Sequence, residues 1–577
     1  MRYQNLSTIW GETLDKSNIL NEYPRPQLKR DSYLCLNGEW DFAVTKSRKI
    51  PDNFDGKILV PFSPESPLSQ INRKIKADEF LHYRKIFVLP NKFDKGRILL
   101  NFGAVDMFCV VYLNGEKIGS NSGGYYPFTV ELTGRLRYGK NYLNVVVKDY
   151  TDRSYYTRGK QTTHRGGIWY TPQSGIWQTV WLESVNPQYV KDLKIIPDYD
   201  NGTVTFAVEK VGNLKNLKYY IYDASDKKIA SGVCADTETV NLPEFNEWTP
   251  DDPYLYKVIL ECDTDKIESY FGMRKFSVGE HNGKKCFMLN NKPYFINGLL
   301  DQGYWSDGMY TAPSDEALIY DIKKTKELGY NTLRKHIKIE PLRWYYHCDR
   351  LGMLVIQDMP SGGVKYNPFV TQIIPFLGGN LSDQKYCLFG RRSAKSRKLF
   401  LSEYHRMLNL LKNVVSLAIW TPFNEGWGQF DSCRIARWTK NHDKQRLVDH
   451  ASGWHDQGGG DFKSIHIYFK PVPTVDDERP ILLSEFGGYS LKEDEHCFNT
   501  RKTFGYKIFS DRKEFQEAYK DLYENQIIPK IQEGLTGTIY TQLSDVEDEV
   551  NGIMTYDRKV LKLDEEFLKE INEKLKF

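Results

Sequence analysis

Short runs in which apolar and polar residues alternate dominate the first third of the chain and predict β-strands. Alternation with a period of two buries one face of each strand against a core. Turn-forming pairs, Asn114-Gly115 and Gly123-Gly124, separate the runs, which lie at residues 85–89, 97–102, 107–113 and 142–147. The pattern ends near Glu183. Residues 1–185 are therefore predicted to form a two-sheet sandwich, or jelly roll.

A second β-rich block follows over residues 186–277. Its strand candidates lie at 203–208, 217–222 and 256–260. A block of about 90 residues has the size of an immunoglobulin-like β-sandwich, which is the fold predicted for it.

From residue 278 the period changes, and strand-like runs alternate with helical stretches. The eight strand candidates are residues 294–296, 332–334, 354–356, 417–420, 447–449, 464–467, 481–483 and 538–540. The helical stretches are residues 315–328, 340–351, 397–411, 433–441 and 511–533. Eight strand–helix units predict a (β/α)8 TIM barrel over residues 278–577, with functional residues at the carboxyl ends of the strands.

Composition and charge exclude several classes of function. The 79 Lys and Arg residues nearly balance the 75 Asp and Glu residues, for a net charge of +4, without long runs of one sign. This balance argues against nucleic-acid and membrane partners. The cysteines, nine in number, are scattered and form no Cys-x-x-Cys pair, which predicts reduced thiols, a cytoplasmic location and no metal or cofactor. A homo-oligomer is compatible with the sequence.

Two predicted barrel strands end in a glutamate among aromatic residues. Glu425 follows strand four and is preceded by Asn424, and Glu485 follows strand seven. Glycoside hydrolysis needs one carboxyl that stays protonated to protonate the leaving oxygen and one that stays ionised. The alternative interpretation is that each glutamate only forms an ion pair with an arginine of the barrel.

Motifs along nearly the whole chain resemble glycoside hydrolase family 2, the β-galactosidase, β-glucuronidase and β-mannosidase family. They lie at residues 36–42, 83–87, 112–115, 174–177, 271–274, 289–293, 328–334, 348–352 and 424–426. The resemblance implies a sugar-binding jelly roll, an immunoglobulin-like spacer and a catalytic barrel. It also implies hydrolysis with retention of anomeric configuration, on a carbohydrate substrate.

The resemblance assigns roles to individual residues of this chain. Glu425 is expected to be the acid/base and Glu485 the nucleophile, with their carboxyl groups about 5–5.5 Å apart. Asn424 is expected to hydrogen-bond the sugar 2-hydroxyl, and Tyr468 to contact the nucleophile. Trp427, two residues beyond the acid/base, is expected either to stack on the aglycone or to pack in the core.

Several positions depart from the family pattern. The family's histidine after strand two is shifted by one residue, to His336. The tryptophan of strand eight is replaced by Tyr540, the aspartate contributed by the jelly roll by Trp169, and a histidine after strand one by the segment containing Gln302. These departures weaken the expectation of ordinary lactose-type activity.

The β-glucuronidase pattern requires an Asn-x-Lys sequence before a Gly-Ile segment. The Gly-Ile segment is present at 552–558, but Glu549-Val550-Asn551 precedes it and the lysine is missing. A uronate would meet negative charge there, so glucuronides are disfavoured. The acidic run 545–549 is interpreted as a solvated cap, with binding of neutral hydroxyls or a cation as the alternative.

The sequence therefore predicts an exo-acting retaining β-glycosidase, β-galactosidase-like, that acts on a neutral terminal sugar. A second hypothesis is a carbohydrate-binding relative without turnover. A third keeps the chemistry and changes the sugar to a β-mannoside, an α-L-arabinopyranoside or a β-glucosaminide. The long connection 362–398 is interpreted either as a lid that forms a subsite or as a plain insertion.

Overall fold

The structure is a computed structural model that describes residues 3–577. Its first domain contains twelve strands: β1 (Tyr33–Cys35), β2 (Gly38–Thr45), β3 (Gly56–Val60), β4 (Phe80–Phe87), β5 (Arg97–Phe102), β6 (Val105–Asp106), β7 (Phe108–Leu113), β8 (Glu116–Ser122), β9 (Phe128–Glu131), β10 (Asn141–Lys148), β11 (Gly175–Ile176) and β12 (Val180–Val185). A four-stranded sheet, in the order β1-β12-β5-β9, packs on a six-stranded sheet, β3-β2-β4-β10-β7-β8. Their inward-facing residues form one apolar core. This is the jelly roll that the alternating pattern predicts.

The second domain is a smaller sandwich. Its strands are β13 (Tyr189–Asp198), β14 (Thr203–Val211), β15 (Lys218–Tyr222), β16 (Lys228–Val233), β17 (Thr237–Asn241), β18 (Tyr256–Glu261) and β19 (Lys266–Phe271). Three of them pair as β13-β14-β17 and four as β16-β15-β18-β19, all antiparallel. The domain has the immunoglobulin-like architecture and its own core.

A three-stranded antiparallel sheet leads into the barrel: β20 (Phe276–His281), β21 (Lys284–Leu289) and β22 (Lys292–Pro293). The eight barrel strands are β23 (Ile296–Asp301), β24 (Thr332–Lys335), β25 (Leu354–Asp358), β26 (Leu417–Thr421), β27 (Leu447–Val448), β28 (Lys463–Ile467), β29 (Ile481–Gly487) and β32 (Leu535–Thr541). A two-stranded parallel sheet, β30 (Tyr489–Leu491) and β31 (Lys507–Phe509), lies outside the barrel.

The barrel strands are all parallel and occur in the order β27-β26-β25-β24-β23-β32-β29-β28. This is the cyclic order of a (β/α)8 barrel. The two ends of the series meet where the Asp461 backbone N–H donates to the Val448 carbonyl at 2.7 Å. The carboxyl ends of strands four and seven thus open on the same mouth.

The helices of the described chain are α1 (Ile9–Glu12), α2 (Asp315–Glu327), α3 (Leu342–Leu351), α4 (Ile374–Phe376), α5 (Ala394–Leu410), α6 (Ser432–His442), α7 (Arg512–Asp521), α8 (Ile528–Ile531) and α9 (Glu565–Asn572). Side-chain oxygens cap several of them, including Ser314 at α2 and Asp511 at α7. The predicted helix over 511–533 is interrupted by a π-helical stretch, Leu522–Ile527. Short 3-10 turns occupy Pro26–Leu28, Pro67–Ser69 and Asp494–His496.

Segment 362–398 carries structure of its own. It contains a π-helical turn, Phe369–Ile373, followed by α4 and by the beginning of α5. Tyr366 donates a hydrogen bond to the Gly362 carbonyl at 3.0 Å, and His455 bonds the Val370 carbonyl at 2.8 Å. The first contact is internal to the segment, and the second holds part of the segment beside the loop that follows strand five.

Over the described residues, no helix combines the length and apolarity needed to cross a membrane. All nine cysteines are free thiols.

Candidate active site

Two glutamate carboxyls converge at the barrel mouth. Glu425 lies just beyond β26 in a left-handed conformation, at φ +49°, and its backbone N–H donates to the Ser452 carbonyl at 3.0 Å. Glu485 lies near the end of β29. One carboxylate oxygen of each, together with a ring nitrogen of His466, lies within 4.8 Å of the others. An upper limit of 4.8 Å between the nearest oxygens is compatible with the separation of about 5–5.5 Å between carboxyl groups in retaining glycosidases.

Several donors surround the Glu485 carboxylate. Arg334 Nη1 lies 3.1 Å from Oε1, and the Tyr468 hydroxyl donates to Oε2. His466 Nε2 lies 3.7 Å from Oε1. Burial favours the neutral acid, but the charges of His466 and Arg334 and the Tyr468 hydrogen bond outweigh it and lower the pKa of Glu485. Glu485 is therefore ionised.

Glu425 has the opposite tendency. The one side-chain hydrogen-bond partner of its carboxyl in the described chain is His466, whose Nδ1 lies 2.9 Å from Oε1. Burial is the largest effect on its pKa, and the nearby Glu485 charge adds to it, so the pKa of Glu425 is raised. The pKa values of the two carboxyls are thus displaced in opposite directions, which favours the protonated form of Glu425 and the ionised form of Glu485.

Arg334 organises the site, although sequence reasoning treated it only as part of a motif. This guanidinium is fully buried; its Nε donates to Asp358 at 3.0 Å and its Nη2 to Asn424 Oδ1 at 2.8 Å. It also donates to the Ser484 carbonyl at 2.9 Å. Its position near the carboxyl end of a barrel strand is the feature of the sequence from which a role in the site could have been predicted. The alternative interpretation of the sequence was that each glutamate pairs with a barrel arginine. Arg334 does pair with Glu485, but among the described residues no arginine pairs with Glu425.

Asn424 and His336 present polar atoms to the mouth. Asn424 Nδ2 is buried and has no partner among the described residues. His336 Nδ1 lies 2.8 Å from Asp358 Oδ2, and burial lowers the pKa of His336 well below its ordinary value. A neutral ring that donates Nδ1–H to a carboxylate leaves Nε2 as an acceptor.

An aromatic cluster forms one wall beside Glu425. The Trp427 ring lies 5.1 Å from Trp169 and 6.2 Å from both Tyr366 and His336, between ring centroids. The structure thus brings Trp169, from the first domain, to the predicted Trp427. Tyr366, from segment 362–398, was not among the predicted residues, because nothing in its surroundings in the sequence marks it.

The structure places Tyr540 away from the mouth. Its side chain is fully buried on the outer face of β32, where its ring lies 5.6 Å from Phe486 and 5.1 Å from Tyr519. The neighbouring residue Thr541 faces the site instead, with Oγ1 3.2 Å from the Tyr468 hydroxyl. The prediction of a sugar platform at Tyr540 is therefore wrong by one residue along the strand, because neighbouring residues of a strand face opposite sides.

Gln302 is buried within a chain of amides. Its Nε2 donates to Gln542 Oε1 at 2.8 Å, and Gln542 Nε2 donates to Asn551 Oδ1 at 2.7 Å. This chain connects the loop after strand one with the loop after strand eight. His450, whose Nε2 lies 3.1 Å from Asp456, also has a partner of its own.

The acidic run 545–549 is buried rather than solvated, which corrects the sequence interpretation. Arg165 Nη1 lies 3.1 Å from Glu547 and 2.9 Å from Asp548, and Lys562 Nζ lies 2.6 Å from Asp545. Glu549 accepts hydrogen bonds from Tyr170 and Asn551. The carboxylates of the acidic run are therefore paired within the protein.

Three family models match the chain. The TIM barrel domain of glycosyl hydrolases family 2 matches residues 282–576, the galactose-binding domain-like model of glycosyl hydrolase 2 matches 64–176, and the model named glycosyl hydrolases family 2 matches 188–274. The chain belongs to glycoside hydrolase family 2. The fold inferred from the motifs is thereby confirmed.

Individual members of family 2 are distant from the chain. It is 26% identical over 298 residues to a β-galactosidase of Thermoanaerobacter pseudethanolicus, covering 48% of this chain and 39% of the relative. It is 25% identical over 476 residues to a β-galactosidase of Oenococcus oeni, covering 74% and 43%. The chain thus spans less than half the length of both relatives. A β-glucuronidase from an uncultured Clostridium species superposes with a TM-score of 0.75 at 18% identity, covering 95% of this chain and 98% of that one.

The Glu425, His466 and Glu485 group is also a set of ligand types that is able to hold a metal ion. Each of the three already has a hydrogen-bond partner within the set or from Arg334 and Tyr468. The absence of a metal or cofactor requirement stays a prediction.

Proposed function

We propose that this family 2 protein is an exo-acting retaining β-glycosidase. One observation carries the proposal: two buried carboxyls with oxygens within 4.8 Å of one another have pKa values displaced in opposite directions. That combination is what double displacement requires. Membership of the family supports the same reaction class.

In the first step Glu485 attacks the anomeric carbon. A bond forms between its carboxylate oxygen and the sugar, the bond to the aglycone oxygen breaks, and Glu425 transfers its proton to that oxygen. In the second step the ionised Glu425 takes a proton from water, and the water oxygen displaces Glu485. Two inversions give net retention.

The surrounding residues fit this sequence of steps. The Tyr468 hydroxyl and Arg334 hold Glu485 ionised and fix its oxygens. The unpartnered Asn424 Nδ2 is placed to donate to a sugar hydroxyl, a contact that gains strength as charge develops in the transition state. The aromatic wall of Trp427, Trp169 and Tyr366 supplies stacking surface for the aglycone.

Exo action is supported by closure of one side of the mouth. The Arg158 backbone N–H of the first domain donates to the Ser361 carbonyl at 2.8 Å, and the rings of Trp169 and Tyr366 lie 6.1 Å apart. A cleft closed in this way accommodates a chain end better than the middle of a polymer.

The identity of the terminal sugar is proposed on different grounds from the reaction. A neutral, β-galactoside-like sugar is the prediction from sequence, and the names of the two relatives agree with it. The argument against uronates is weaker than the sequence indicated, since the acidic run is paired internally. The cytoplasmic location and a homo-oligomer are proposed on sequence grounds alone.

The test is the initial rate of hydrolysis of nitrophenyl glycosides by the purified protein. The panel contains β-galactoside, β-glucuronide, β-galacturonide, β-mannoside, β-glucoside and α-L-arabinopyranoside. We expect Glu485→Ala to abolish hydrolysis of the best substrate and Glu425→Gln to abolish it for a poor leaving group. The matched control is Glu244→Gln, at an exposed position of the second domain, which should retain the wild-type rate.

Wild-type turnover in both site variants would refute the proposed roles. If the wild-type protein binds glycans tightly and hydrolyses none of them, the alternative of a carbohydrate-binding relative replaces the proposal.

A further inference from the structure

Lys160 differs from every other buried lysine of the described chain. Four lysine residues are buried, and three of them have carboxylate partners: Lys335 pairs with Asp301 and Glu340, Lys338 with Glu340, and Lys562 with Asp545. Lys160 is only 5% exposed. Within residues 3–577 its Nζ forms neither an ion pair nor a hydrogen bond, and it lies 5.4 Å from the centroid of the Tyr170 ring.

A lysine whose side chain is largely buried but whose ammonium has no ion-pair partner in the protein is able to bind an anion from outside the chain. An anionic group on a bound ligand would supply the partner that the protein does not. The other three lysines show that the fold provides carboxylates where a lysine is only structural.

The loop that carries Lys160 covers the mouth of the barrel. The preceding residue, Gly159, approaches the Ile337 carbonyl so closely that a Cβ there would lie 2.9 Å from it. Further along the loop, Trp169 packs on Trp427. Lys160 therefore lies between the loops that follow strands two and four, beside His336 and Glu425.

Electrostatic effects agree with this placement. Burial lowers the pKa of His336, and the Lys160 charge is the next contribution in the same direction. The same charge opposes the burial that raises the pKa of Glu425. Lys160 thus acts on both sides of the space that the proposed function assigns to the terminal sugar.

No carboxylate of the acidic run neutralises this lysine. Glu547 and Asp548 pair with Arg165, and Glu549 accepts from Tyr170 and Asn551. The pairing also reduces the repulsion that an anionic substrate would meet at this edge of the mouth.

We infer that Lys160 binds a negatively charged substituent, a carboxylate or a sulfate ester, on the terminal sugar. The inference rests on the proposed function and replaces the neutral sugar within it by an acidic one. The first domain then supplies the ammonium group that the loop after strand eight lacks. Lys160 is thus a specificity-determining residue.

The experiment compares kcat/KM for pairs of nitrophenyl glycosides that share a leaving group. The pairs are β-galacturonide with β-galactoside, β-glucuronide with β-glucoside, and 6-sulfo-β-galactoside with β-galactoside. We expect one acidic member to exceed its neutral partner, and Lys160→Met to reduce that ratio by about 100-fold, as expected for loss of a charged hydrogen bond. Lys160→Arg should restore part of the ratio, and the exposed Lys140→Met should leave it at the wild-type value.

The acidic substrate with the highest kcat/KM shows whether the site prefers a carboxylate or a sulfate ester. A wild-type preference for neutral sugars, or equal losses on both members of a pair in Lys160→Met, would overturn the inference and leave the glycosidase proposal intact. Absence of hydrolysis of every glycoside in the wild-type protein would instead count against the proposed function.

A thermal unfolding measurement separates binding from a structural role. Removing a buried charge that has no partner should leave the Tm unchanged or raise it. A decrease in the Tm of Lys160→Met that Lys160→Arg reverses would show a structural role. In Glu485→Ala, free galacturonate or glucuronate should raise the Tm, and the added Lys160→Met should remove that increase; an increase that persists would contradict the inference.

Discussion

At the scale of single residues, the two glutamates differ in the groups around their carboxyls. Glu485 accepts hydrogen bonds from Arg334 and Tyr468, whereas the Glu425 carboxyl has one side-chain hydrogen-bond partner among the described residues, His466. The sequence showed that both carboxyls stand at strand ends. The family resemblance assigned the nucleophile to Glu485, but the residues alone did not show why Glu485 would be the ionised one, because that depends on donors brought from other strands of the barrel.

Replacing Tyr468 by Phe should affect the nucleophile alone. The lost hydrogen bond favoured the ionised form of Glu485, so its pKa rises and the acidic limb of the kcat/KM pH profile moves to higher pH. We expect kcat to fall by about 10- to 100-fold, as for loss of one donor to a developing charge. An acidic limb that stays in place would contradict this role of Tyr468.

Replacing His466 by Phe should affect both carboxyls. His466 lowers the pKa of Glu485 by its charge and that of Glu425 by a hydrogen bond. Without it both pKa values rise, so both limbs of the pH profile move to higher pH. Rate measurements across pH on Tyr468→Phe and His466→Phe form a matched pair. Movement of one limb only in His466→Phe would show that the histidine does not bridge the two acids.

At the scale of elements, the period of the hydrophobic pattern predicted all eight barrel strands, and the structure differs mainly at their ends. Strand eight shows why this matters for the site. A shift of one residue along a strand exchanges its inner and outer faces, so Thr541 faces the mouth and Tyr540 packs against the helices. The strand Leu535–Thr541 mixes threonine and glycine with apolar residues and is buried along its whole length, so its pattern does not indicate which residue faces the mouth.

Tyr540→Phe tests this placement. The Tyr540 hydroxyl accepts a hydrogen bond from the Tyr489 backbone N–H at 3.2 Å, and its loss should cost about 1 kcal/mol. Because the ring lies outside the barrel, kcat/KM should equal the wild-type value. Steady-state kinetics and urea unfolding measure the two effects. A rise in KM of tenfold or more would place the ring in the sugar site.

At the scale of the whole molecule, the first domain and the barrel together build the candidate site. The motifs and periodicity predicted the kinds of domain but not the contacts between them. Lys160 and Trp169 reach the barrel mouth from the first domain. The family resemblance indicated the position of Trp169, whereas no pattern around Lys160 indicates its place. Contacts between residues far apart in sequence are set by packing of the folded domains.

Glu183 links the domains at a second place. It is fully buried and receives Arg25 Nη2 at 2.6 Å, while Arg30, 3.7 Å from Glu183, also pairs with Asp265 of the second domain at 3.0 Å. Burial opposes ionisation, but the two arginines lower the pKa of Glu183. Its ion pairs therefore contribute stability above the ordinary pKa of a glutamate, and this contribution is lost as pH falls through the lowered value.

Glu183→Gln should reduce stability by about 3 kcal/mol at pH 7, since it leaves buried charge without its partner. The urea midpoints of wild type and variant should converge at acidic pH. Equal urea midpoints at pH 7 would show that this cluster of ion pairs does not stabilise the folded protein.

The assignment of Glu485 as the nucleophile is tested most directly by trapping the glycosyl-enzyme. The protein is incubated with the 2-deoxy-2-fluoro glycosyl fluoride of its best sugar, digested and analysed by mass spectrometry. Double displacement predicts one added sugar on the peptide that contains Glu485, and none on the Glu485→Ala variant. A sugar on any other residue, or products of inverted configuration from an unlabelled but active protein, would contradict the account.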